Sequence, residues 1–199
     1  LQEVLEMEID KKIRDGVIKA LPEAKQINDR ELREKVYDAW AASLATSGYK
    51  KIEDIPASGN PGTPEMKTGT QADHLRSVAR LSAAIAKEFK DTFPQFNVDM
   101  DEVLAGGLCH DLGKPFEFDA ANQKRWKSDP SVTGWPSIRH PVYGVHIALS
   151  AGLPEKIAHI AGAHSMEGEN VRRSLVGTIV HYADYTFWRI LETAGVLKS

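Results

Sequence analysis

The sequence predicts an all-α protein made of an N-terminal helical arm and a helical core. Apolar residues recur every three or four positions along most of the chain, which is the pattern of amphipathic helices. No segment of useful length alternates apolar and polar residues as a half-buried strand does. The chain has 199 residues, of which 42% are hydrophobic and 27% charged, so its composition is that of a globular protein with a sizeable core.

The arm is predicted as two helices within residues 1–47, separated near Leu21-Pro22 and ended at Ser47-Gly48. Residues 48–71 are rich in proline and glycine and predict a connecting loop, for which a lid, a packing segment and a plain surface connection are alternative roles. One apolar stripe of the arm is typical of a packing face or of a homo-oligomer contact through these helices. This stripe consists of Leu5, Ile9, Ile13, Val17 and Leu21.

The core is predicted to begin at Ala72 with a helix that Pro94 ends. The segment between Pro115 and His140 has loop character. The chain is thus expected to comprise an arm with its connecting loop, residues 1–71, and a core, residues 72–199. The inward face of the first core helix is predicted to hold Leu75, Val78, Ala79, Ser82, Ala86 and Phe89. Further helices are expected near residues 99–111, 142–151, 154–164 and 171–193.

Composition argues against several classes of protein. A net charge of −3 is unlike that of a dedicated nucleic-acid binder, and no apolar run is long enough to span a bilayer. Cys109 is the only cysteine, so neither an intramolecular disulfide nor a thiolate zinc cluster can form. We therefore expect a cytoplasmic protein whose partners are neither nucleic acid nor membrane.

Two predicted apolar helices carry aspartates that are suited to metal binding, one of them next to a histidine. His110 and Asp111 follow an apolar helix that Gly113 ends, and Asp184 lies on a mostly apolar helical stripe. A carboxylate is costly to bury without a partner, and a divalent cation would supply one. The alternatives are a carbonyl cap for His110, a turn at Asp111 and a solvent-edge hydrogen bond for Asp184.

Three further histidines lie at or near predicted helix ends, although a lone histidine is more often a core or surface residue than a ligand. His140 precedes Pro141, which biases its backbone toward an extended conformation just outside a helix. Six candidate ligands are thereby presented by five separate segments. In chain order they are His74, His110, Asp111, His140, His164 and Asp184.

This order resembles the HD-domain superfamily of metal-dependent phosphohydrolases, over about residues 72 to 190. Residues 110–114, 139–141 and 183–184 are similar to the family's motif blocks. The resemblance implies an HD-domain helical bundle and the dinuclear branch of the family, with Asp111 bridging two divalent ions. It assigns the first ion to His74, His110, Asp111 and Asp184, and the second to His140, His164 and Asp111. The ligand types suit iron, manganese, cobalt, nickel or zinc without choosing among them.

The chemistry implied by the resemblance is hydrolysis of a small phosphomonoester or phosphodiester by a metal-activated water, with Asp111 and Lys114 as catalytic residues. Four neutral imidazoles and two carboxylates around two divalent ions leave a net positive charge, which favours a small anionic, phosphate-containing substrate. Lys114 resembles the family's phosphate-contacting lysine, and its alternative is an ordinary helix-end cation. Arg139 and His181 are further substrate-binding candidates, whose alternatives are a surface arginine and a histidine that orients a ligand.

Two other functions share the same ligand order. One is a di-iron oxygenase of the HD type acting on a small polar substrate. The other is an HD module that binds a nucleotide without turnover, although such a module would be expected to have lost some ligands. No Gly-Tyr-Pro motif follows His164, so the sequence departs from the cyclic-diguanylate phosphodiesterases.

Overall fold

The computed structural model describes residues 10–198, so Leu5 and Ile9 of the predicted arm stripe lie outside the described residues. The all-α prediction is confirmed, because backbone pairing among the described residues is limited to isolated bridges. Short 3-10 segments occupy Pro22–Gln26, Ile52–Asp54 and Met166–Asn170. The α-helices are α1 Lys11–Ala20, α2 Arg30–Ala45, α3 Gln71–Thr92, α4 Met100–Cys109, α5 Lys114–Phe118, α6 Ala120–Ser128, α7 Pro130–Thr133, α8 His140–Ser150, α9 Glu155–Ala163 and α10 Leu175–Thr193.

The arm is packed onto the core. Helix α1 is N-capped by the Asp10 side chain, and the predicted break near Leu21-Pro22 is present, with a 3-10 segment beginning at Pro22. Val17 and Leu21 are buried within the chain's own hydrophobic core. Helix α2 lies against α4, where Trp40 Nε1 donates to the Leu108 carbonyl at 2.8 Å. The predicted homo-oligomer contact through the arm stays a prediction.

Helix α4 lies at the centre of the core. It packs against α3, α9 and α10, while α8 packs against α9. Gly107 makes the α3–α4 contact close, since a Cβ at this position would lie 2.6 Å from Ala79 Cα. This approach brings the C-terminal end of α4 next to the N-terminal half of α3.

Two sequence-based expectations are wrong in detail. The segment between Pro115 and His140 forms the short helices α5, α6 and α7 instead of a loop, and Trp126 is buried there. Helices of this length have too few turns to display an apolar period in the sequence. The start of α6 is marked instead by Asp119, whose side chain caps the helix. Phe89 is exposed because it lies near the end of α3, where it packs against Phe93 and Phe96.

The last described residues return to the loop that precedes α3. Met66 and Leu197 form an antiparallel bridge, Lys67 N donates to the Val196 carbonyl at 2.9 Å, and Lys198 N donates to the Glu65 carbonyl at 2.7 Å. This pairing fixes the connecting loop against the C-terminal end of α10. No helix among residues 10–198 combines the length and the apolar character needed to cross a membrane.

Candidate metal centre

The centre is built around the turn that joins α4 to α5. Helix α4 ends at Cys109, and residues 110–113 turn before α5 begins at Lys114. Gly113 lies against the start of α8, where a Cβ would meet the His140 carbonyl oxygen at 2.0 Å. Only glycine allows this approach, which places His140 beside the His110-Asp111 pair.

A first cluster joins three of the predicted ligands from α3, the α4–α5 turn and α10. His74 Nε2 lies 3.1 Å from His110 Nε2 and 3.4 Å from Asp184 Oδ1, and the latter two atoms are 3.8 Å apart. Both histidines are fully buried, while Asp184 is partly exposed.

A second cluster joins Asp111, His140 and His164, all of them buried. His140 Nε2 and His164 Nε2 are 3.3 Å apart. Asp111 Oδ1 lies 3.4 Å from His140 Nε2 and 3.5 Å from His164 Nε2. The six residues that sequence analysis selected therefore meet as two adjoining groups.

Asp111 connects the groups because its two oxygens point to different histidines. Asp111 Oδ2 lies 3.2 Å from His74 Nε2 and 3.3 Å from His110 Nε2, whereas Oδ1 faces His140 and His164. A carboxylate oriented in this way can contact two cations at once.

The separations between the histidine nitrogens and a buried oxygen without a hydrogen-bond partner both fit metal ions. Two nitrogen ligands about 2.1 Å from one ion, at angles between octahedral and tetrahedral, lie about 3.0–3.4 Å apart. The His74–His110 and His140–His164 separations of 3.1 and 3.3 Å fall in this range. Among the described residues, Asp184 Oδ1 is buried without a hydrogen-bond partner, which is a costly arrangement that a cation would relieve.

The outward nitrogens of three histidines have partners that fix each ring. His110 Nδ1 lies 2.8 Å from the Gly107 carbonyl oxygen, and His164 Nδ1 lies 2.8 Å from that of Ala161. His140 Nδ1 contacts Glu117 Oε2. Since carbonyl and carboxylate oxygens accept hydrogen bonds, Nδ1 of each of these rings carries the proton and Nε2 keeps the lone pair that a metal requires.

Burial and the neighbouring charges shift the pKa of several groups. Burial lowers the pKa of His74 to about 4, despite the raising effect of Asp111 and Asp184. Burial also lowers the pKa of His140, against the effect of Glu117. The pKa of Asp111 stays well below its ordinary value, because the charges of Lys114 and His110 outweigh the raising effect of burial. An ionised Asp111 beside neutral His74 and His140 is a suitable ligand set for a divalent cation.

For His110 the balance of the same forces is reversed. Burial would lower its pKa, but the carboxylates of Asp111 and Asp184 raise it above the ordinary histidine value. The same two carboxylates would attract a cation into the first cluster.

The remaining predicted site residues lie around these clusters. Lys114 is buried, and its Nζ lies 2.9 Å from Asp111 Oδ2 and 2.7 Å from the Ser58 carbonyl oxygen. Arg139 donates hydrogen bonds to two protein carboxylates, Glu117 and Glu167. His181 Nδ1 lies 2.6 Å from the His164 carbonyl oxygen, so His181 is held against the backbone of a candidate ligand.

Beside the clusters lies a cavity of about 380 Å³ into which Asp111, Lys114, His140, His164 and Asp184 all project. This volume exceeds that of a phosphate group. Its outer wall combines aromatic and apolar side chains with an arginine-glutamate pair. The wall consists of Gly59, Asn60, Thr63, Pro64, Ser165, Tyr185, Trp188, Arg189, Glu192 and Leu197.

Two residues that contact the ligands were missed by sequence analysis. Gln71 Nε2 donates to Asp111 Oδ2 at 2.8 Å, and Glu117 contacts His140. Glu117 had a detectable signal, because it is a charged residue between Phe116 and Phe118 and would need a partner if buried. Gln71, at the first turn of a helix, carried no such signal.

The sequence model of the HD domain matches residues 72–188, which is more than half of the chain. The dihydroneopterin 2',3'-cyclic phosphate phosphodiesterase of Methanocaldococcus jannaschii is 26% identical over 180 residues, covering 86% of this chain and 68% of that protein. The ketol-acid reductoisomerase (NADP(+)) of Shewanella oneidensis is 26% identical over 121 residues, but these cover 60% of this chain and only 23% of that enzyme. No solved structure matches the chain significantly. With the family match over the residues that carry both clusters, the chain belongs to the HD domain family.

Proposed function

We propose that this protein, a metal-dependent hydrolase of the HD domain family, uses two divalent transition-metal ions to hydrolyse a small phosphate ester. The observation that carries the proposal is the orientation of Asp111, whose oxygens face two separate histidine pairs at 3.2–3.5 Å. A single-ion site would leave one of these pairs without a role. In this assignment the first ion is held by His74, His110, Asp111 and Asp184, and the second by Asp111, His140 and His164.

Two such ions would supply a water of lowered pKa and positive charge beside the phosphoryl oxygens. The protein's own contribution is to hold the ligands in place and to present Lys114 to the substrate. Lys114 Nζ is fixed by Asp111 and the Ser58 carbonyl at the cavity wall. In this buried position its charge would act strongly on a phosphoryl oxygen, because little water screens it.

The cavity favours an ester with a ring-bearing organic group. Tyr185 and Trp188 offer aromatic faces beside Pro64 and Leu197, a lining suited to a planar ring. The relative from M. jannaschii is named for a substrate that joins a pterin to a cyclic phosphodiester. We therefore infer that a small phosphodiester, with a cyclic 2',3'-phosphate as its first representative to test, is favoured over a phosphomonoester.

The proposal is tested by anaerobic metal loading followed by a substrate panel. Purified protein stripped of metal is reloaded with Fe²⁺, Mn²⁺, Co²⁺, Ni²⁺ or Zn²⁺. Each form is assayed on nucleoside 2',3'-cyclic phosphates, bis(p-nitrophenyl) phosphate and p-nitrophenyl phosphate. We expect metal-dependent hydrolysis, with ¹⁸O from labelled water appearing in the phosphate product.

The same experiment separates the other two functions. Oxygen consumption by the iron form without ester hydrolysis would favour the di-iron oxygenase. Saturable binding of a nucleotide without any product would favour a non-catalytic module. Either result would overturn the proposed hydrolysis.

A further inference from the structure

Glu117 is a fully buried carboxylate that touches one candidate ligand on the side away from the cavity. Glu117 Oε2 accepts a hydrogen bond from the His140 backbone N at 2.9 Å and contacts Nδ1 of the same residue. His140 Nε2 lies at the other side of the ring, 3.3 Å from His164 Nε2. Glu117 therefore stands behind the imidazole, outside the second cluster.

Arg139 holds this carboxylate. Its Nη1 donates to Glu117 Oε1 at 3.0 Å and to Asn60 Oδ1 at 2.7 Å, and its Nε donates to Glu167 Oε1 at 2.9 Å. The guanidinium thus offsets the cost of burying Glu117 and restricts its rotation. These contacts with protein acceptors favour a positioning role for Arg139 over a direct contact with substrate.

The four candidate histidine ligands differ in what supports them. His110 and His164 rest on backbone carbonyls, and His74 Nδ1 is buried without a partner among residues 10–198. His140 alone of the four contacts a carboxylate through its outer nitrogen. A charged acceptor makes a stronger hydrogen bond than a carbonyl and raises the basicity of the ligand nitrogen opposite.

We propose that Glu117 is a positioning residue for the second metal ion: it fixes His140 with Nε2 directed into the second cluster and strengthens that nitrogen as a donor. This inference rests on the proposed two-ion site. It goes beyond that site because it predicts that the two ions differ in what supports their binding. Binding of the second ion would depend on Glu117, a carboxylate that does not touch the ion, whereas binding of the first ion would not depend on Glu117.

The experiment measures the affinity of each ion separately in the full-length protein. Metal-free wild type, Glu117→Gln and Glu117→Ala are titrated with Co²⁺, and the ions bound per chain are counted by elemental analysis after desalting. We expect Glu117→Gln to bind the first ion like wild type and the second about 10- to 100-fold more weakly. Adding Glu117→Gln to His140→Ala should cause no further loss, because the two residues act through one nitrogen.

Two matched controls separate positioning from general support of the fold. Glu167→Gln removes a carboxylate from Arg139 without touching His140, and Glu23→Gln removes a buried carboxylate that pairs with Arg76 and Arg80. Both should keep wild-type affinity for the second ion. Should Glu117→Gln fail to fold, Arg139→Ala tests the same link, with selective weakening of the second ion expected.

Each outcome is decisive. Equal loss of both ions in Glu117→Gln, or two ions bound with wild-type affinity, would overturn the positioning role while leaving the two-ion site intact. A wild type that binds a single ion would overturn the proposed two-ion function itself, and the inference with it.

Discussion

Lys114 Nζ lies 2.9 Å from Asp111 Oδ2, and both side chains are only 2% exposed. The ammonium is thus a buried charge partner of the carboxylate that connects the two clusters. Metal ions beside Asp111 would take over that role, and Lys114 would then be available to a phosphoryl oxygen in the cavity. Under the proposed function, this pair would couple the charge state of the metal centre to substrate binding.

The first prediction follows from the position of Lys114 at the cavity wall. Lys114→Ala should keep both metals and lower turnover of phosphate esters about 10²-fold or more, the effect of removing one preorganised charge donor. Lys114→Arg should not restore activity fully, because a planar fork does not fit the space of a compact ammonium. Steady-state kinetics and metal counting provide the measurement, with Lys156→Ala, which removes a surface pair with Glu102, as the control. Near-normal phosphate release by Lys114→Ala would refute its substrate role.

Metal removal should show whether Lys114 compensates the buried charge of Asp111. A chelator is expected to lower the melting temperature of the wild type, because ions that bind only the folded state stabilise it. In Lys114→Ala the drop should be larger, since metal-free Asp111 then loses its nearest cation as well; removing one partner of a buried pair typically costs about 3–5 kcal/mol. Equal drops in wild type and variant, measured by calorimetry, would show that Lys114 does not compensate Asp111.

Asp111→Ala should abolish activity and greatly reduce the content of both metals, because this residue faces both clusters. Elemental analysis and activity are measured on the same sample. The control is Asp91→Ala, an exposed carboxylate on α3 that pairs with Lys87. An active Asp111→Ala variant with two bound ions would contradict the bridging assignment.

Single histidine variants should separate the two ions. His140→Ala or His164→Ala is expected to lose about one ion per chain and keep the other, since each contributes to one cluster. His74→Ala should show the complementary loss. If neither His140→Ala nor His164→Ala changes the metal content, the site holds one ion, and the second cluster has another purpose.

Gly113→Ala tests the close approach of the α4–α5 turn to α8. A Cβ there would overlap the His140 carbonyl oxygen, so we expect a loss of about 1–3 kcal/mol in unfolding free energy and weaker binding of the second ion. Gly16→Ala is the matched control, because nothing lies within 4 Å of its added Cβ and alanine favours a helix. Denaturant unfolding gives the free energies. Wild-type stability in Gly113→Ala would mean that the turn moves freely.

The sequence contained the signals for the long helices and for the identity of the clustered residues. Helices α1 and α3 were predictable because prolines and apolar periods mark their limits. Asp111 and Asp184 became ligand candidates because a carboxylate beside apolar neighbours needs a partner, and the histidines because they lie at or near helix ends. The resemblance of their order to the HD-domain superfamily then implied the ligand set.

What could not be predicted depends on contacts between distant segments. The sequence around Glu117 indicates a charge that needs a partner if buried, but not which partner, because its contact with His140 arises only where α5 meets the start of α8. The burial of Lys114 likewise depends on Ser58, 56 residues earlier. The apolar periodicity of a sequence cannot identify such contacts between distant segments, since it describes one helix at a time.

The bridge between Met66 and Leu197 has a consequence for the order in which the protein is assembled. A chain is synthesised from its N-terminus, so His74 through His164 leave the ribosome before α10 and its Asp184. The loop that contributes Asn60 and Pro64 to the cavity can be fixed in place only later, because its backbone partners are residues 196–198. A nascent chain can therefore present five of the six candidate ligands before the cavity is complete, and the whole centre forms only after α10 and residues 196–198 have been made.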